Sequence, residues 1–177
     1  MTVAEYIIWE FEGGKLGGPY TDDPSDRGGA TRWGITQNTA SRFYGRAVSK
    51  QEVRDMPLAE ALEIANKLFF LDTNYNLIKD WRVRLMVADY GYNFGPDDAT
   101  PALQRAVGAK PDGQLGPITL AMVATADPLT MCLKVLADRQ FKHVQQSYKP
   151  NQLTYIRGWI NRTTMLAQRI TWVESLT

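Results

Sequence analysis

The stretch that decides the fold lies near the N-terminus. Residues 12–14 read Glu-Gly-Gly, and residues 26–36 read Asp-Arg-Gly-Gly-Ala-Thr-Arg-Trp-Gly-Ile-Thr. Before it, apolar residues recur at helical spacing, which predicts an amphipathic helix over residues 3–12 that Gly13-Gly14 ends. Glycines and prolines then interrupt residues 15–35 without a helical period. This part is predicted to form a long loop, with room for a short β-hairpin.

Outward from this stretch, the chain is predicted to be mainly helical. Residues 79–94 are apolar nearly all round, which predicts a central helix buried on every side. Gly95-Pro96-Asp97-Asp98 breaks that pattern and marks a predicted domain boundary. The other predicted helices are a short one that opens at residues 49–52 and longer ones over residues 36–44, 57–70, 99–107, 117–126, 128–148 and 154–175; several start at capping residues or prolines.

The composition excludes several kinds of chemistry. With a net charge of +1 and no run of about 18 apolar residues, we expect neither a nucleic-acid partner nor insertion into a membrane. One histidine and one cysteine rule out a multi-histidine zinc site and an internal disulfide, so we expect no metal and no cofactor. Cys132 lies in an apolar helical run and is predicted to be a buried, inert thiol. His143 lies among Lys142, Gln145 and Gln146 and is predicted to be on the surface.

Because few other groups are available, the chemistry is expected to run on carboxylates, and Glu12 is the first candidate. Hydrolysis of a glycosidic bond needs a protonated carboxyl group that donates to the leaving oxygen. The end of a helix carries partial negative charge, which disfavours the ionised form of a glutamate there. The apolar neighbours Trp9, Phe11 and Leu16 could also desolvate it, which would raise its pKa. The alternative is an exposed glutamate beside a helix C-cap.

Other polar and aromatic residues near this stretch could complete a site. A second carboxylate would support the sugar cation or activate water, and Asp22 and Asp26 are the candidates. The alternative is that these aspartates only stabilise a turn. Thr31 could hold that water, or cap the loop. Tyr20 and Trp33 could each present a ring to a sugar, although Trp33 could equally be a core residue.

Asp89 and Asn93 lie four residues apart, on one face of the predicted buried helix. Buried polar groups need partners. The pair therefore forms either a structural hydrogen-bond network or the floor of a substrate cleft.

Taken in order, these elements resemble the N-terminal signature of glycoside hydrolase family 108, phage-type N-acetylmuramidases that cleave peptidoglycan. The same order is similar to the catalytic stretch of phage lysozymes of the T-even type. The resemblance implies an α+β lysozyme-like fold, with Glu12 as the acid and Asp26 and Thr31 as the assisting pair. Asp22 lies nearer the T-even spacing, so both aspartates stay candidates.

The second half of the chain has a resemblance of its own. Residues 103–108 and 112–119, together with the late segment 158–162, resemble a predicted peptidoglycan-binding module that often follows this catalytic unit. The resemblance implies a muramidase domain over residues 1–97 and a helical module over residues 98–177, packed against the first. The module could bind peptidoglycan or serve as a scaffold.

The leading hypothesis is therefore a lysozyme that cuts the β-1,4 bond between N-acetylmuramic acid and N-acetylglucosamine. A lytic transglycosylase and a non-catalytic wall-binding or secretion-associated protein are the alternatives. Residues 1–14 lack the pattern of a signal peptide, so we expect synthesis in the cytoplasm and action on the wall in the periplasm. A phage or prophage endolysin that lyses the bacterium after release through a holin, or a host enzyme exported by a secretion system, would fit.

Overall fold

The fold is mainly α with one small antiparallel sheet, as the sequence predicts. A computed structural model of the chain describes residues 1–23, 29–171 and 176. The described residues form these elements in chain order: α1 (Val3–Phe11), β1 (Thr31–Arg32), β2 (Ile35–Thr36), α2 (Gln37–Tyr44), α3 (Lys50–Asp55), α4 (Leu58–Asn66), α5 (Trp81–Phe94), α6 (Pro96–Val107), α7 (Pro117–Thr125), α8 (Pro128–Ser147) and α9 (Ile156–Arg169).

The chain divides into two compact units, Met1–Asp72 and Thr73–Thr177. In the first unit, α1 begins at a capping box between Thr2 and Glu5 and buries one apolar face. Glu12 is its C-cap, and Gly13 follows with a positive φ of 78°. The helix therefore ends at the Glu-Gly-Gly stretch, as predicted.

The loop after α1 leads into the small sheet. β1 and β2 form a hairpin in which Thr31 pairs with Thr36 and Arg32 with Ile35. Trp33 and Gly34 make the two-residue turn with φ values of 55° and 72°. Positive φ at both central residues is the turn geometry that matches the right-handed twist of a hairpin. The short hairpin that the sequence allowed is present.

The remaining helices of the first unit start where capping residues predict. Thr36 caps α2, and a capping box between Ser49 and Glu52 opens α3. Pro57 precedes α4, which continues as a π-helical turn over Lys67–Leu71. These helices pack against α1 and the hairpin, so they fix the position of the loop after α1.

In the second unit, α5 is the central buried helix that the sequence predicts. Asp80 caps its first turn, and residues 85–91 are buried in a helix that packs against α6 and α8, whereas Asn93 in its last turn is exposed. No single helix in the described ranges is long and apolar enough to span a membrane, although the sharply bent pair α7 and α8 together meets that length and composition.

Two predicted boundaries in the second unit were wrong. α6 starts at Pro96 rather than near residue 99. Proline is well suited to the first helical position, and Asp97 and Asp98 complement the helix dipole in the first turn, so the predicted break is a helix start. α9 starts at Ile156 after a short 3-10 turn and ends at Arg169; residues 172–175 of the predicted helix lie outside the described residues.

Candidate functional site

The candidate acid, Glu12, sits at the end of α1. Its backbone N–H donates to the Ile8 carbonyl at 3.2 Å, and the residue is half-buried. Of the apolar neighbours expected to cover it, Trp9 is 44% and Leu16 is 80% exposed, and their cover of Glu12 stays a prediction. The carboxyl group lies against the hairpin.

The end of the Glu12 side chain lies against the backbone of Gly34. A Cβ atom at Gly34 would lie 2.6 Å from Glu12 Oε2 and 2.8 Å from its Cδ. Only a residue without a side chain lets the turn approach the carboxyl group so closely. Sequence patterns alone do not reveal Gly34 as the partner of Glu12, although a glycine in the predicted hairpin is the residue type that a turn with positive φ favours.

Trp33 anchors the turn that meets Glu12. The side chain is 8% exposed, and its indole N–H donates to the Met56 carbonyl at 2.9 Å. A Cβ at Gly18 would lie 2.2 Å from the indole ring, so the ring rests on the backbone of the loop after α1. These contacts favour the core role that the sequence left open for Trp33, and the role as a sugar platform stays a prediction.

The other predicted residues of the first unit lie around the hairpin. Thr31 is half-buried, its backbone pairs with Thr21, and its hydroxyl donates to the Gly29 carbonyl at 3.2 Å. The Tyr20 ring lies 4.4 Å from the Arg54 guanidinium carbon. Asp22 is exposed and forms an ion pair with Lys50 at 2.9 Å. Asp26, the other predicted carboxylate, lies outside the described residues.

Asp89, in the second unit, forms a buried ion-pair network. The residue is 0% exposed, and its carboxylate accepts hydrogen bonds from Arg139 and from Arg162, the latter at 2.6 Å. Arg139 also donates to Asn93 Oδ1 at 3.2 Å. The structure thus shows the hydrogen-bond network that was one of the two alternatives for Asp89 and Asn93. A role in binding substrate stays a prediction.

The charges in this network set the ionisation of Asp89. Burial alone would raise the pKa of the Asp89 carboxyl, but the positive charges of Arg162 and Arg139 outweigh it and hold the pKa below its usual range. The two arginines were not found from the sequence, because they lie 50 and 73 residues from Asp89 along the chain.

The prediction that His143 lies on the surface was wrong. The side chain is 3% exposed and stacks on Trp159 with ring centroids 5.0 Å apart. Its Nε2 accepts from Arg139 Nε at 3.3 Å, while Nδ1 is buried and has no hydrogen-bond partner among the described residues. Burial, followed by the charges of Arg139 and Arg162, lowers the pKa of His143 to about 4. Its polar sequence neighbours occupy other faces of α8.

The buried His143 predicts a loss of stability at mildly acidic pH. In the unfolded chain the imidazole takes up a proton near its ordinary pKa of 6.5, whereas in the folded chain it does so only near 4. As the pH falls from 7 to 4, the free energy of unfolding should therefore drop by about 3 kcal/mol from this group.

Denaturant unfolding of wild type and His143→Gln at both pH values measures this loss. Besides the arginines, His143 faces Asp89, Phe94 and Trp159, and all of these are kept in the variant. Carboxylates elsewhere titrate in both proteins. An equal pH-dependent loss in the two would contradict the prediction.

Cys132 is buried, as predicted, and burial raises the pKa of its thiol to about 12. It is therefore protonated and unreactive at neutral pH. In the described ranges, no group of three or more histidine, cysteine, aspartate or glutamate side chains could hold a metal ion.

The loop between α6 and α7 is held by one buried amide. Gln104 Nε2 donates to Asp112 Oδ1 at 2.7 Å and to the Gln114 carbonyl at 3.1 Å. The Gly113 N–H donates back to Gln104 Oε1 at 2.9 Å. These motif residues therefore hold the loop itself, and the choice between a binding role and a scaffold role stays a prediction.

Comparison with known protein families defines the class of the protein. Residues 6–95 match the model of glycosyl hydrolase 108, and residues 98–164 match that of a predicted peptidoglycan domain. The chain therefore belongs to the glycosyl hydrolase 108 family. It is a glycoside hydrolase that acts on peptidoglycan.

A solved structure is similar over most of the chain. The structure of Brucella abortus SagA is 28% identical, with a TM-score of 0.80, and the match covers 94% of this chain and 90% of that one. No curated protein matches the sequence. The two family matches meet between residues 95 and 98, whereas the compact units meet after Asp72, so the domain boundary after residue 97 stays a prediction.

Proposed function

We propose that this hydrolase cleaves the β-1,4 bond between N-acetylmuramic acid and N-acetylglucosamine, with Glu12 as the general acid. The observation that carries the proposal is the place of Glu12. It is a half-buried carboxyl group at a helix end, held against the turn of the signature hairpin. A carboxyl group so placed is partly shielded from water and keeps part of its surface exposed, as a general acid that must reach its substrate needs.

Asp26 and Thr31 are the proposed assisting pair. Thr31 lies on the strand that leads into the turn under Glu12, on the same hairpin. The engagement of Asp22 with Lys50 favours Asp26 as the second carboxylate, since an ion pair with a lysine makes a carboxylate less available to support a sugar cation. Asp22 is the alternative, and Tyr20 is a proposed sugar contact.

The bond that is cut is tested by the fragments that the enzyme releases. Purified peptidoglycan is digested, and the soluble fragments are separated and identified by mass spectrometry. Borohydride treatment of half of the sample distinguishes reducing ends, which it reduces, from anhydro ends, which it leaves unchanged. Reducing N-acetylmuramic acid ends are expected. Anhydromuramic ends would show a lytic transglycosylase, reducing N-acetylglucosamine ends would place the cut at the other glycosidic bond, and no fragments at all would favour a wall-binding protein.

The stereochemistry follows from the same digestion. An NMR spectrum of the first product, recorded before mutarotation, shows whether the anomer is retained or inverted. Retention indicates carboxyl groups about 5 Å apart and a covalent intermediate, and inversion indicates about 6.5–9.5 Å with a water between them.

The biological setting is part of the proposal. We expect the enzyme to reach the wall by release through a holin or by a secretion system, as a phage or prophage endolysin or a host enzyme. Expression with and without a holin, followed by culture lysis, tests this. Lysis only with the holin supports the endolysin, and lysis without it supports another export route.

A further inference from the structure

We infer that Gly34 is a positioning residue for Glu12, and that the hairpin turn sets the place of the acid by having no side chain there. This inference rests on the proposed function of Glu12. It goes further because it assigns a role to a residue that has no reactive group of its own.

The geometry leaves no room for a side chain at this position. A Cβ on Gly34 would lie 2.6 Å from Oε2, 2.7 Å from Cγ and 2.8 Å from Cδ of Glu12. Real Cβ atoms essentially never approach a neighbour within 3.0 Å. The overlap involves three atoms at the end of the Glu12 side chain. A methyl group at residue 34 and the Glu12 carboxyl group in its observed place therefore exclude each other.

The turn cannot easily move away, because Trp33 fixes it on two sides. The indole ring rests on the Gly18 backbone, and its N–H is bonded to the Met56 carbonyl. The strands on either side are paired across the hairpin. The Glu12 side chain is the flexible partner, so an alanine at residue 34 is expected to displace the carboxyl group and leave the fold intact.

Such a displacement has a defined kinetic signature. A reacting group misplaced by about 1 Å can lower the rate about 100-fold. Gly34→Ala changes no other predicted substrate contact, so substrate binding is expected to stay the same. Gly34→Ala is therefore expected to lower kcat by about 100-fold with little change in KM.

Gly17 provides the matched control. Its φ is 74°, against 72° for Gly34, and nothing lies within 4 Å of a Cβ there. Both alanine variants carry the same left-handed backbone strain, but only Gly34→Ala meets Glu12. We expect both to lose a similar amount of thermal stability, and only Gly34→Ala to lose kcat.

A second readout does not depend on activity. The carboxyl carbon resonance of Glu12, in protein labelled with ¹³C-glutamate, is assigned by its absence in Glu12→Gln. It is expected to shift in Gly34→Ala and to stay in place in Gly17→Ala. This separates the inference from the proposed function: a wild type that releases no fragments overturns the function, and the resonance still decides the inference.

Several results would overturn the inference. One is a kcat for Gly34→Ala within about 3-fold of that for Gly17→Ala. If both values were far below that of the wild type, backbone strain alone would be the cause. An unmoved Glu12 resonance is another. A Gly34→Ala protein that fails to fold while Gly17→Ala folds would also overturn it, because the turn, and not the carboxyl group, would then have given way.

Discussion

Glu12→Gln is expected to lower the rate of peptidoglycan hydrolysis by about 10²–10⁴-fold, since a positioned general acid contributes on this order. Glutamine keeps the shape of the side chain but has no proton to give to the leaving oxygen. Release of soluble fragments from purified peptidoglycan measures the rate. Stability is expected to stay the same or rise slightly, because the negative end of a helix disfavours a carboxylate.

The control is Glu10→Gln on the same helix. Glu10 forms an ion pair with Lys15 at 2.7 Å, and nothing places it in the candidate site. We expect it to keep the wild-type rate within about 2-fold, as surface ion pairs contribute little. Equal rates for Glu12→Gln and wild type would assign the acid to another carboxylate, with Asp22 and Asp26 the next to replace.

Much of the fold follows from local rules that the sequence shows. The capping boxes at Thr2 and Ser49 and the Gly-rich end of α1 set their boundaries through contacts within three or four residues. Contacts between residues so close along the chain can be predicted from a short window of sequence. The hairpin follows only in part: Gly34 suits its positive φ, but Trp33, with a φ of 55°, is held by the Gly18 backbone and the Met56 carbonyl, which lie outside this window.

The error at His143 arises because distant residues set its surroundings. His143 has polar sequence neighbours, so its local pattern indicates a surface. Its surroundings are set by Trp159 on α9 and by the buried partners of Arg139, which no local window contains. The partner of Glu12 was missed for the same reason, because Gly34 carries no chemistry of its own and matters only through its place in the fold.

The buried carboxylate of Asp89 is expected to contribute much to the stability of the second unit. Asp89→Asn should lower the free energy of unfolding by about 3–5 kcal/mol, because it takes away the carboxylate that faces the Arg139 guanidinium in the core. Arg139 is itself among the most deeply buried side chains, so it cannot turn to water. Denaturant unfolding of the full chain, followed by circular dichroism, measures the loss.

Asp98→Asn is the matched control. Asp98 pairs with Lys142 at 2.7 Å, and about a third of each side chain is exposed. Water can take over its role, so the expected loss is about 0–1 kcal/mol. A loss for Asp89→Asn no larger than this control would contradict the prediction.

The double variant Asp89→Asn with Arg139→Met shows whether unpaired charge is the cause. If the single variant fails because a cation is stranded, then removing that cation should restore part of the lost stability, although it removes one more native hydrogen-bonding side chain. If the single variant fails only because the shape of the core changes, the second substitution should add to the loss. The sign of the coupling therefore separates an electrostatic role of Asp89 from a packing role. An electrostatic role requires that Asp89 stays ionised in the core, which the two arginines ensure by holding its pKa low.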